Sequence, residues 1–307
     1  MSEQNENGDQ GGVLTLVGIG PGAHEFISPA GLDAIRDCDM VVGYRTYMLL
    51  VRSLIKDKEV VKTGMTEEIS RARAAVHAAR DGKKVVVVSS GDAGVYGMGP
   101  LIFEVLKEEG WTRGSSPEIR VIPGITALNA CASLVGAPLG HDSCMISLSD
   151  LLTPWEVIEK RIEAAAAADF VIGFYNPASG RRQKQIVIAR QILLQHRPAE
   201  TPVALIKSAY RHRQNVVMTD LQNFTEHDIG MLTTVLVGST NTYMYEGFMV
   251  TPRGYANKYE VASGAARAGQ TPGISLRTDR PDLNAGAPPP VLPGRSAPVP
   301  GEQQEGV

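Results

Sequence analysis

The sequence predicts an α/β protein with two domains, and three observations support this prediction. Short β-branched runs alternate with helical patterns over residues 12–260, which is typical of parallel strands joined by helical crossovers. Glycine-rich turns follow two of these runs, at 13–17 and 85–88. Two later runs are joined by only a short polar turn, which predicts an antiparallel hairpin. We therefore expect a mostly parallel domain over 12–125 and a mixed α/β domain over 126–260.

Each element has a local signal. Ser28-Pro29 predicts a helix start with serine as N-cap and proline in the first turn, and Thr66-Glu67-Glu68 places acids at another start. Thr153-Pro154-Trp155-Glu156 reads as a capping box that opens the helix through the alanines 164–168. The predicted strands cover residues 13–18, 40–43, 59–62, 84–89, 118–122, 144–148, 170–174, 203–207, 214–219 and 234–238.

Two terminal segments have a composition typical of disorder. Residues 1–11 are polar, and residues 261–307 contain no aromatic side chain but include Pro288-Pro289-Pro290. Such segments bury too little apolar surface to offset the chain entropy lost on ordering. We expect both to be disordered.

The composition excludes several classes of protein. The chain has 307 residues, 43% of them hydrophobic, and a formal net charge of -3, which gives no general attraction to nucleic acid or to an anionic membrane surface. No apolar run approaches the roughly 20 residues of a membrane span, and no basic segment followed by an apolar core indicates a signal peptide.

Cysteine usage indicates a reducing compartment. The three cysteines, Cys38, Cys131 and Cys144, are far apart and form no CxxC pair. This argues against both a disulfide framework and a zinc site, and no clustered histidines indicate another metal. The expected location is therefore the cytoplasm.

The first glycine turn leaves alternatives open. Gly18-x-Gly20-x-x-Ala23 satisfies the loose dinucleotide-binding pattern. Against this, the helix signal comes five residues after Ala23, Pro21 removes a backbone N–H donor, and the second strand ends without an acid for a ribose hydroxyl. Arg45 could serve a 2′-phosphate, so an NADP-dependent oxidoreductase stays an alternative, as does a tight turn without a ligand. No GxxxxGK[ST] loop indicates nucleotide hydrolysis.

Three motifs in order resemble the tetrapyrrole methylase family. They are Gly18-Ile19-Gly20-Pro21-Gly22, then Ser90-Gly91-Asp92-Ala93-Gly94-Val95-Tyr96-Gly97, then Pro123-Gly124-Ile125-Thr126-Ala127. Each motif is weak alone, but the set is specific, and the resemblance covers about 12–258. Ala93 stands where family members usually have proline, which matches one branch of the family.

The resemblance implies a two-domain class III methyltransferase fold, a homodimer, and S-adenosylmethionine held in the cleft between the two domains. A sulfonium cation is best held by carbonyl oxygens and aromatic faces, so a turn poor in N–H donors is no handicap. The cofactor contacts carried over from the motifs are Pro21, Gly91, Asp92, Ala93, Val95, Tyr96, Thr126, Ala127, Phe174, Tyr175, Asn176, Ala209 and Thr233.

The methyl acceptor implied by the resemblance is a reduced tetrapyrrole bearing carboxylates. Arginine meets carboxylates in two-point contact, so Arg45, Arg181, Arg182 and Arg211 are the candidate acceptor contacts, with solvated turn residues as the alternative. Asp92, His24 and His141 are the candidate acid–base groups. Asp92 could instead hold its turn, and His141 could form a structural pair with Asp142.

Overall fold

Two five-stranded sheets form the framework of the chain up to Pro252. The structure is a computed structural model that describes residues 11–64, 67–180 and 182–277. The chain divides into two compact units after Pro252. The first unit contains both large sheets, and each sheet lies between helices.

The elements are numbered in chain order. The strands are β1 (Val13–Gly18), β2 (Met40–Tyr44), β3 (Glu59–Thr63), β4 (Lys84–Ser89), β5 (Glu118–Ile122), β6 (Gly136–Ala137), β7 (Ser143–Ser147), β8 (Val171–Tyr175), β9 (Pro202–Lys207), β10 (Asn215–Asp220), β11 (Thr233–Val237), β12 (Tyr243–Tyr245) and β13 (Phe248–Val250). The α-helices are α1 (Pro29–Asp37), α2 (Arg45–Leu50), α3 (Glu68–Arg80), α4 (Gly99–Glu108), α5 (Ala127–Val135), α6 (Trp155–Ala167), α7 (Lys184–Leu193) and α8 (Tyr255–Lys258).

The sheet topology confirms the predicted fold class. The first sheet has the order β3-β2-β4-β1-β5, and all its pairings are parallel. The second sheet has the order β10-β9-β11-β8-β7, with β7 and β8 parallel and the other pairings antiparallel. The predicted hairpin is β9–β10. A small third sheet, β12-β13-β6, was not predicted, because its strands have only two or three residues.

Apolar faces of the helices cover both sides of each sheet. In the first sheet, Leu16 and Val87 pack with α3 and α4, while Val41 and Val88 pack on the opposite side with α1 and α2. In the second sheet, one face packs against α6 and α7 and the other against α5. Because successive strand residues point to opposite faces, this three-layer arrangement requires the nearly continuous apolar strands of the sequence.

One helix start follows its prediction and another does not. Ser28 is the N-cap of α1, its Oγ accepts from the Gly31 N–H at 3.1 Å, and Pro29 is the first helical residue. The predicted capping box at α6 is wrong. Pro154 takes an extended conformation with ψ of 141°, so α6 begins at Trp155 and no side chain caps it. The helix therefore begins one residue too late for the Thr153 hydroxyl to reach its first turn.

The second unit is described from Arg253 to residue 277. It contains α8, an isolated bridge between Tyr259 and Ala266, and a hydrogen bond from Lys258 Nζ to the Ile274 carbonyl. Residues 261–277 form turns and are mostly exposed. The predicted disordered segments also fall on 1–10 and 278–307, which lie outside the described residues. The disorder of both terminal segments and the domain boundary at 125/126 stay predictions.

No helix among the described residues combines the length and apolar character that a bilayer crossing requires.

Candidate active site

Three glycine turns meet at the carboxyl edge of the first sheet. β4, β1 and β5 are adjacent and parallel, so the turns that follow them lie side by side. A Cβ added to Gly18 would lie 2.7 Å from both the Gly91 carbonyl and the Gly124 nitrogen. Gly20 and Gly91 also exchange two backbone hydrogen bonds, of 3.0 and 2.8 Å. The glycines are needed here because three main chains approach more closely than side chains would permit.

The carboxylate of Asp92 ties two of these turns together. Its Oδ1 accepts from the Gly94 N–H at 2.8 Å, and its Oδ2 accepts from the Gly124 N–H at 2.9 Å. Both oxygens therefore have backbone donors, one within the residue's own turn and one in the turn after β5. This geometry is that of a residue that holds main chain in place. The acid–base role of Asp92 stays a prediction.

A single cleft is lined from the strand ends of both sheets. Because β11 runs opposite to β8 and β9, its amino end meets their carboxyl ends at one edge of the second sheet. The lining residues are Pro21, Tyr47, Ser90, Gly91, Asp92, Val95, Tyr96, Thr126, Ala127, Ala130, Cys131, Tyr175, Asn176, Ile206, Ser208, Ala209, Arg211, Met231, Leu232, Thr233 and Thr234.

All predicted cofactor residues line this cleft except Ala93 and Phe174. Ala93 is 1% exposed, packs in the core beneath the turn, and its carbonyl accepts from the Gly99 N–H. Phe174 is fully buried in the core that α6 and α7 cover, because it precedes Tyr175 on β8 and so points to the opposite face. The cofactor roles of the remaining residues stay predictions.

The predicted histidines lie away from the cleft lining. His24 is in a short 3₁₀ turn before α1, and its Nε2 donates to the Leu50 carbonyl at 2.8 Å. His141 is exposed, and its Nδ1 accepts from the backbone N–H of Asp142 at 2.8 Å. Both imidazoles therefore have local hydrogen bonds, and neither is among the groups that converge at the cleft.

Of the predicted substrate arginines, Arg211 lines the cleft. Arg45 is exposed at the first residue of α2 and is not part of the lining. Arg182 is not part of the lining, but it holds the lining residue Asn176 in place, because its Nη2 donates to the Asn176 carbonyl at 2.7 Å. Arg181 lies outside the described residues.

Strained backbone occurs at three positions of this cleft. Tyr96, Asn176 and Ser208 are non-glycine residues with φ of 51°, 50° and 54°, and all three line it. A side chain at positive φ costs free energy and persists only where its surroundings enforce it. Such strain is typical of residues that must present a particular side chain or backbone group to a ligand.

Two tyrosine rings of the lining lie next to each other. The rings of Tyr96 and Tyr175 are 5.2 Å apart between centroids. The Tyr96 hydroxyl donates to the Met145 carbonyl at 3.1 Å, and the Tyr175 hydroxyl accepts from the Leu128 N–H at 2.8 Å. Burial raises the pKa of both phenols, so both are neutral near pH 7. Their hydroxyls anchor the rings, and their faces are left for a ligand.

Sequence reasoning missed several lining residues. Ser90 and Ser208 come directly after β4 and β9, so their position at a strand end was an available signal. Tyr47 is on the two-turn helix α2, where no periodicity indicates which side faces a ligand. Cys131 is on the apolar face of α5 and resembles any other core residue in the sequence.

The first turn does not have the geometry of a pyrophosphate cradle. A pyrophosphate cradle needs backbone N–H donors, and Pro21 has none. The Pro21 carbonyl is instead an acceptor, bonded by Arg211 Nε at 2.5 Å. The next α-helix begins only at Pro29, so no α-helix N-terminus faces the turn. No group of three or more histidines, cysteines or carboxylates with metal-binding geometry occurs among the described residues.

Fold and site together define an α/β protein with a cleft between its two large sheets, at the carboxyl edge of its parallel strands. A family model described as Tetrapyrrole (Corrin/Porphyrin) Methylases matches residues 13–225. The chain belongs to this family, as the resemblance predicted.

Individual relatives agree with this assignment. A Priestia megaterium protein named cobalt-factor III methyltransferase is 58% identical over 248 residues, covering 81% of this chain and 46% of its own length. A Salmonella typhimurium protein named probable cobalt-factor III C(17)-methyltransferase is 46% identical, covering 79% of this chain and 99% of its own length. The chain therefore spans about half of the first relative and nearly all of the second.

A solved structure shares the architecture. The crystal structure of the methyltransferase CobJ has a TM-score of 0.73 and 36% sequence identity to this chain. It covers 78% of this chain and 100% of its own.

Proposed function

We propose that this chain is an S-adenosylmethionine-dependent C-methyltransferase of cobalamin biosynthesis. It acts on precorrin-3B or cobalt-factor III at C17, with contraction of the macrocycle. The names of the relatives support the reaction class. The Salmonella typhimurium relative is 46% identical and is matched over 99% of its own length, so the part of this chain that matches it corresponds to a whole protein named for this reaction. A methylase of the same family acting at another position of the macrocycle is the nearest alternative.

The single observation that carries the proposal is the composition of the cleft. Gly91, Ala127 and Ala209 contribute at most a methyl group each, so a ligand can reach the main chain there. Tyr96 and Tyr175 add aromatic faces. A sulfonium-bearing nucleoside carries no phosphate, and this lining of backbone and aromatic rings suits a cation better than a polyphosphate.

The chain's own residues position and enclose the reactants. S-adenosylmethionine, when bound, supplies a methyl group on a positively charged sulfur that a nucleophilic carbon takes by in-line displacement. Asp92 holds the turns on the side of the first sheet, and the hydroxyl of Tyr175 anchors its ring on the side of the second sheet. Tyr96, in the same turn as Asp92, donates to the Met145 carbonyl on β7 and so connects the two sides. Alignment of donor and acceptor with exclusion of water accounts for most of the acceleration of such a reaction.

The acceptor and the proton-transferring groups are also part of the proposal. Arg45 and Arg182 would approach the acceptor's carboxylates outside the lining described above, and Arg211 within it. Macrocycle contraction needs a proton acceptor and a proton donor, for which Asp92, His24 and His141 stay the candidates. If either histidine transfers a proton, the acceptor must extend beyond the cleft lining to reach it.

The binding part of this proposal is tested by calorimetry. We expect tight binding of S-adenosylhomocysteine and no binding of NADPH. The reverse result would favour the oxidoreductase alternative and contradict the proposal.

The reaction is tested by incubating the protein with methyl-labelled cofactor and candidate precorrins. Mass spectrometry and NMR of the product would locate the methyl group. Methylation at C17 with a contracted ring is the expected result, whereas methylation at C11 or C20 would assign the alternative. Pigment binding without turnover would identify a carrier.

We also propose a homodimer in the cytoplasm, as the family resemblance implies. Light scattering during size-exclusion chromatography should give twice the 32.9 kDa chain mass. A mass of one chain at working concentrations would contradict the dimer. Recovery of the protein in the membrane fraction of lysed cells would contradict the location.

A further inference from the structure

Arg211 connects the second-sheet side of the cleft to the first-sheet side. It lies in the loop between β9 and β10, and its side chain reaches the turns of the first sheet. Its Nε donates to the Pro21 carbonyl at 2.5 Å, and its Nη2 donates to Ser90 Oγ at 2.8 Å. No described residue accepts a hydrogen bond from the third nitrogen, Nη1. The guanidinium is therefore held in place with part of its donor set unused.

The positive charge of Arg211 has no negative partner in the described part of the chain. Arg182 has Asp150 3.9 Å away, and Arg197 has Asp169 at the same distance. The partly buried Arg190 donates to the Thr225 hydroxyl and, like Arg211, has no carboxylate within 4.0 Å among the described residues. No carboxylate lies within 4.0 Å of Arg211 among the described residues. Burial lowers the pKa of Arg211, which expresses the cost of holding this charge away from water.

The nearest titratable neighbours do not supply that partner. Tyr47 and Cys131 are close enough to Arg211 to affect its pKa. Burial raises the pKa of the Tyr47 phenol, and it raises that of the Cys131 thiol to about 11. Both groups are therefore neutral at pH 7, and neither supplies a negative charge to Arg211.

Tyr47 adds a second unused donor. It lines the same cleft, and its ring packs edge-on against Tyr44 at 5.3 Å between centroids. The hydroxyls of the other two lining tyrosines, Tyr96 and Tyr175, are bonded to backbone groups. Within the described residues the Tyr47 hydroxyl has no such partner.

We propose that Tyr47 and Arg211 form a carboxylate subsite in the cleft, in which the Tyr47 hydroxyl and Arg211 Nη1 donate to the carboxylate oxygens of a bound ligand. The inference rests on the proposed function. Two ligands of that reaction carry carboxylates, the amino-acid end of the nucleoside cofactor and the acid side chains of the macrocycle. The chemistry at the subsite is the same for either, and the experiment distinguishes the two sources.

The test compares Tyr47→Phe with the wild type by calorimetry. S-adenosylhomocysteine carries the amino-acid carboxylate, and 5′-methylthioadenosine is the same nucleoside without it. If the cofactor occupies the subsite, Y47F binds S-adenosylhomocysteine about tenfold more weakly, as expected for a hydrogen bond to a charged group, and binds methylthioadenosine as the wild type does. If the macrocycle occupies it, both nucleosides bind normally and the KM for the tetrapyrrole rises about tenfold with kcat unchanged.

Matched variants control for structural effects. Tyr44→Phe removes a neighbouring hydroxyl outside the lining and should leave all affinities unchanged. Arg211→Lys should retain more affinity for the carboxylate-bearing ligand than Arg211→Gln, because it keeps the charge. Y47F should melt at the wild-type temperature, and a variant that fails to fold would show that the hydroxyl is structural, which overturns the inference.

The remaining outcomes separate the two proposals. Wild-type affinity of Y47F for both nucleosides, together with a wild-type KM, overturns the subsite and leaves the proposed function intact. Failure of the wild-type protein to bind S-adenosylhomocysteine at all overturns the proposed function and the subsite with it.

Discussion

The two sheets line the cleft in different ways. We call the side formed by the turns of the first sheet the first wall, and the side formed by the second sheet the second wall. On the first sheet, Gly18, Gly91 and Gly124 bring three main chains into contact, and the absence of side chains fixes the geometry. On the second sheet, side chains such as Tyr175 and Asn176 form the wall and are held by hydrogen bonds and strained backbone. We expect substitutions in the first wall to destabilise the fold, and substitutions in the second wall to alter ligand binding with smaller effects on stability.

The largest expected effect is that of Gly18→Ala. The new Cβ would lie 2.7 Å from the Gly91 carbonyl and the Gly124 nitrogen, and backbone atoms cannot move aside cheaply. We expect the free energy of unfolding, measured by urea titration, to fall by about 3 kcal/mol.

Gly180→Ala is the matched control for this substitution. A Cβ at Gly180 meets nothing within 4 Å, so the expected change is within about 0.5 kcal/mol. Equal stability of the two variants would show that the first wall is more adaptable than its packing indicates.

Asp92→Ala should have the next largest effect. It removes both acceptors that join the turn after β4 to Gly124, and we expect a loss of about 2 kcal/mol in stability together with weaker S-adenosylhomocysteine binding. Asp92→Asn, which keeps one acceptor, should lose less of both. If both variants fold and bind as the wild type does but do not turn over, Asp92 acts in the chemistry and not in positioning.

Tyr175→Phe tests the second wall. Its hydroxyl accepts from the Leu128 N–H at the start of α5, and removal leaves that donor without its partner, at a cost of about 1 kcal/mol. Tyr96→Phe is the matched comparison. Tyr96 is 55% exposed, so water can replace the lost hydrogen bonds and the expected cost is below about 0.5 kcal/mol. Thermal melting separates the two, and a larger loss for Tyr96→Phe would reverse their assigned structural importance.

The fold was readable from the sequence because its signals are local. Buried strands need continuous β-branched runs, and these runs located the ten strands of the two large sheets to within one residue at every end. The strands β6, β12 and β13 are too short for a pattern, and they form through pairing between distant segments. The α6 start was misplaced because the conformation of Pro154 cannot be read from its neighbours.

Only part of the cleft lining could be predicted from the sequence. Glycine turns mark the first wall directly, since glycine is required where main chains touch. The second wall depends on which face each strand residue presents. Phe174 and Tyr175 are adjacent, so only one of them could point into the cleft, and alternation along β8 already implied this. Tyr47 and Arg211 come together only through tertiary folding, and no spacing in the sequence brings them into one site.

The smallest predicted effect compares two buried thiols, one in the lining of the cleft and one near the amino edge of the first sheet. Cys38 packs in the core of the first sheet, Cys131 lines the cleft on α5, and burial raises the pKa of each thiol to about 11 from its ordinary value of 9.0. A raised folded-state pKa gives stability that is present below the unfolded-state value and is lost as pH rises towards the folded-state value. Between about pH 8 and about pH 9.5, ionisation in the unfolded state should therefore cost the protein at most about 1 kcal/mol of stability for each thiol. Urea titration of Cys131→Ala and Cys38→Ala should show each variant losing that much less stability than the wild type. If the Cys38 difference persists and the Cys131 difference vanishes, water enters the cleft as far as α5.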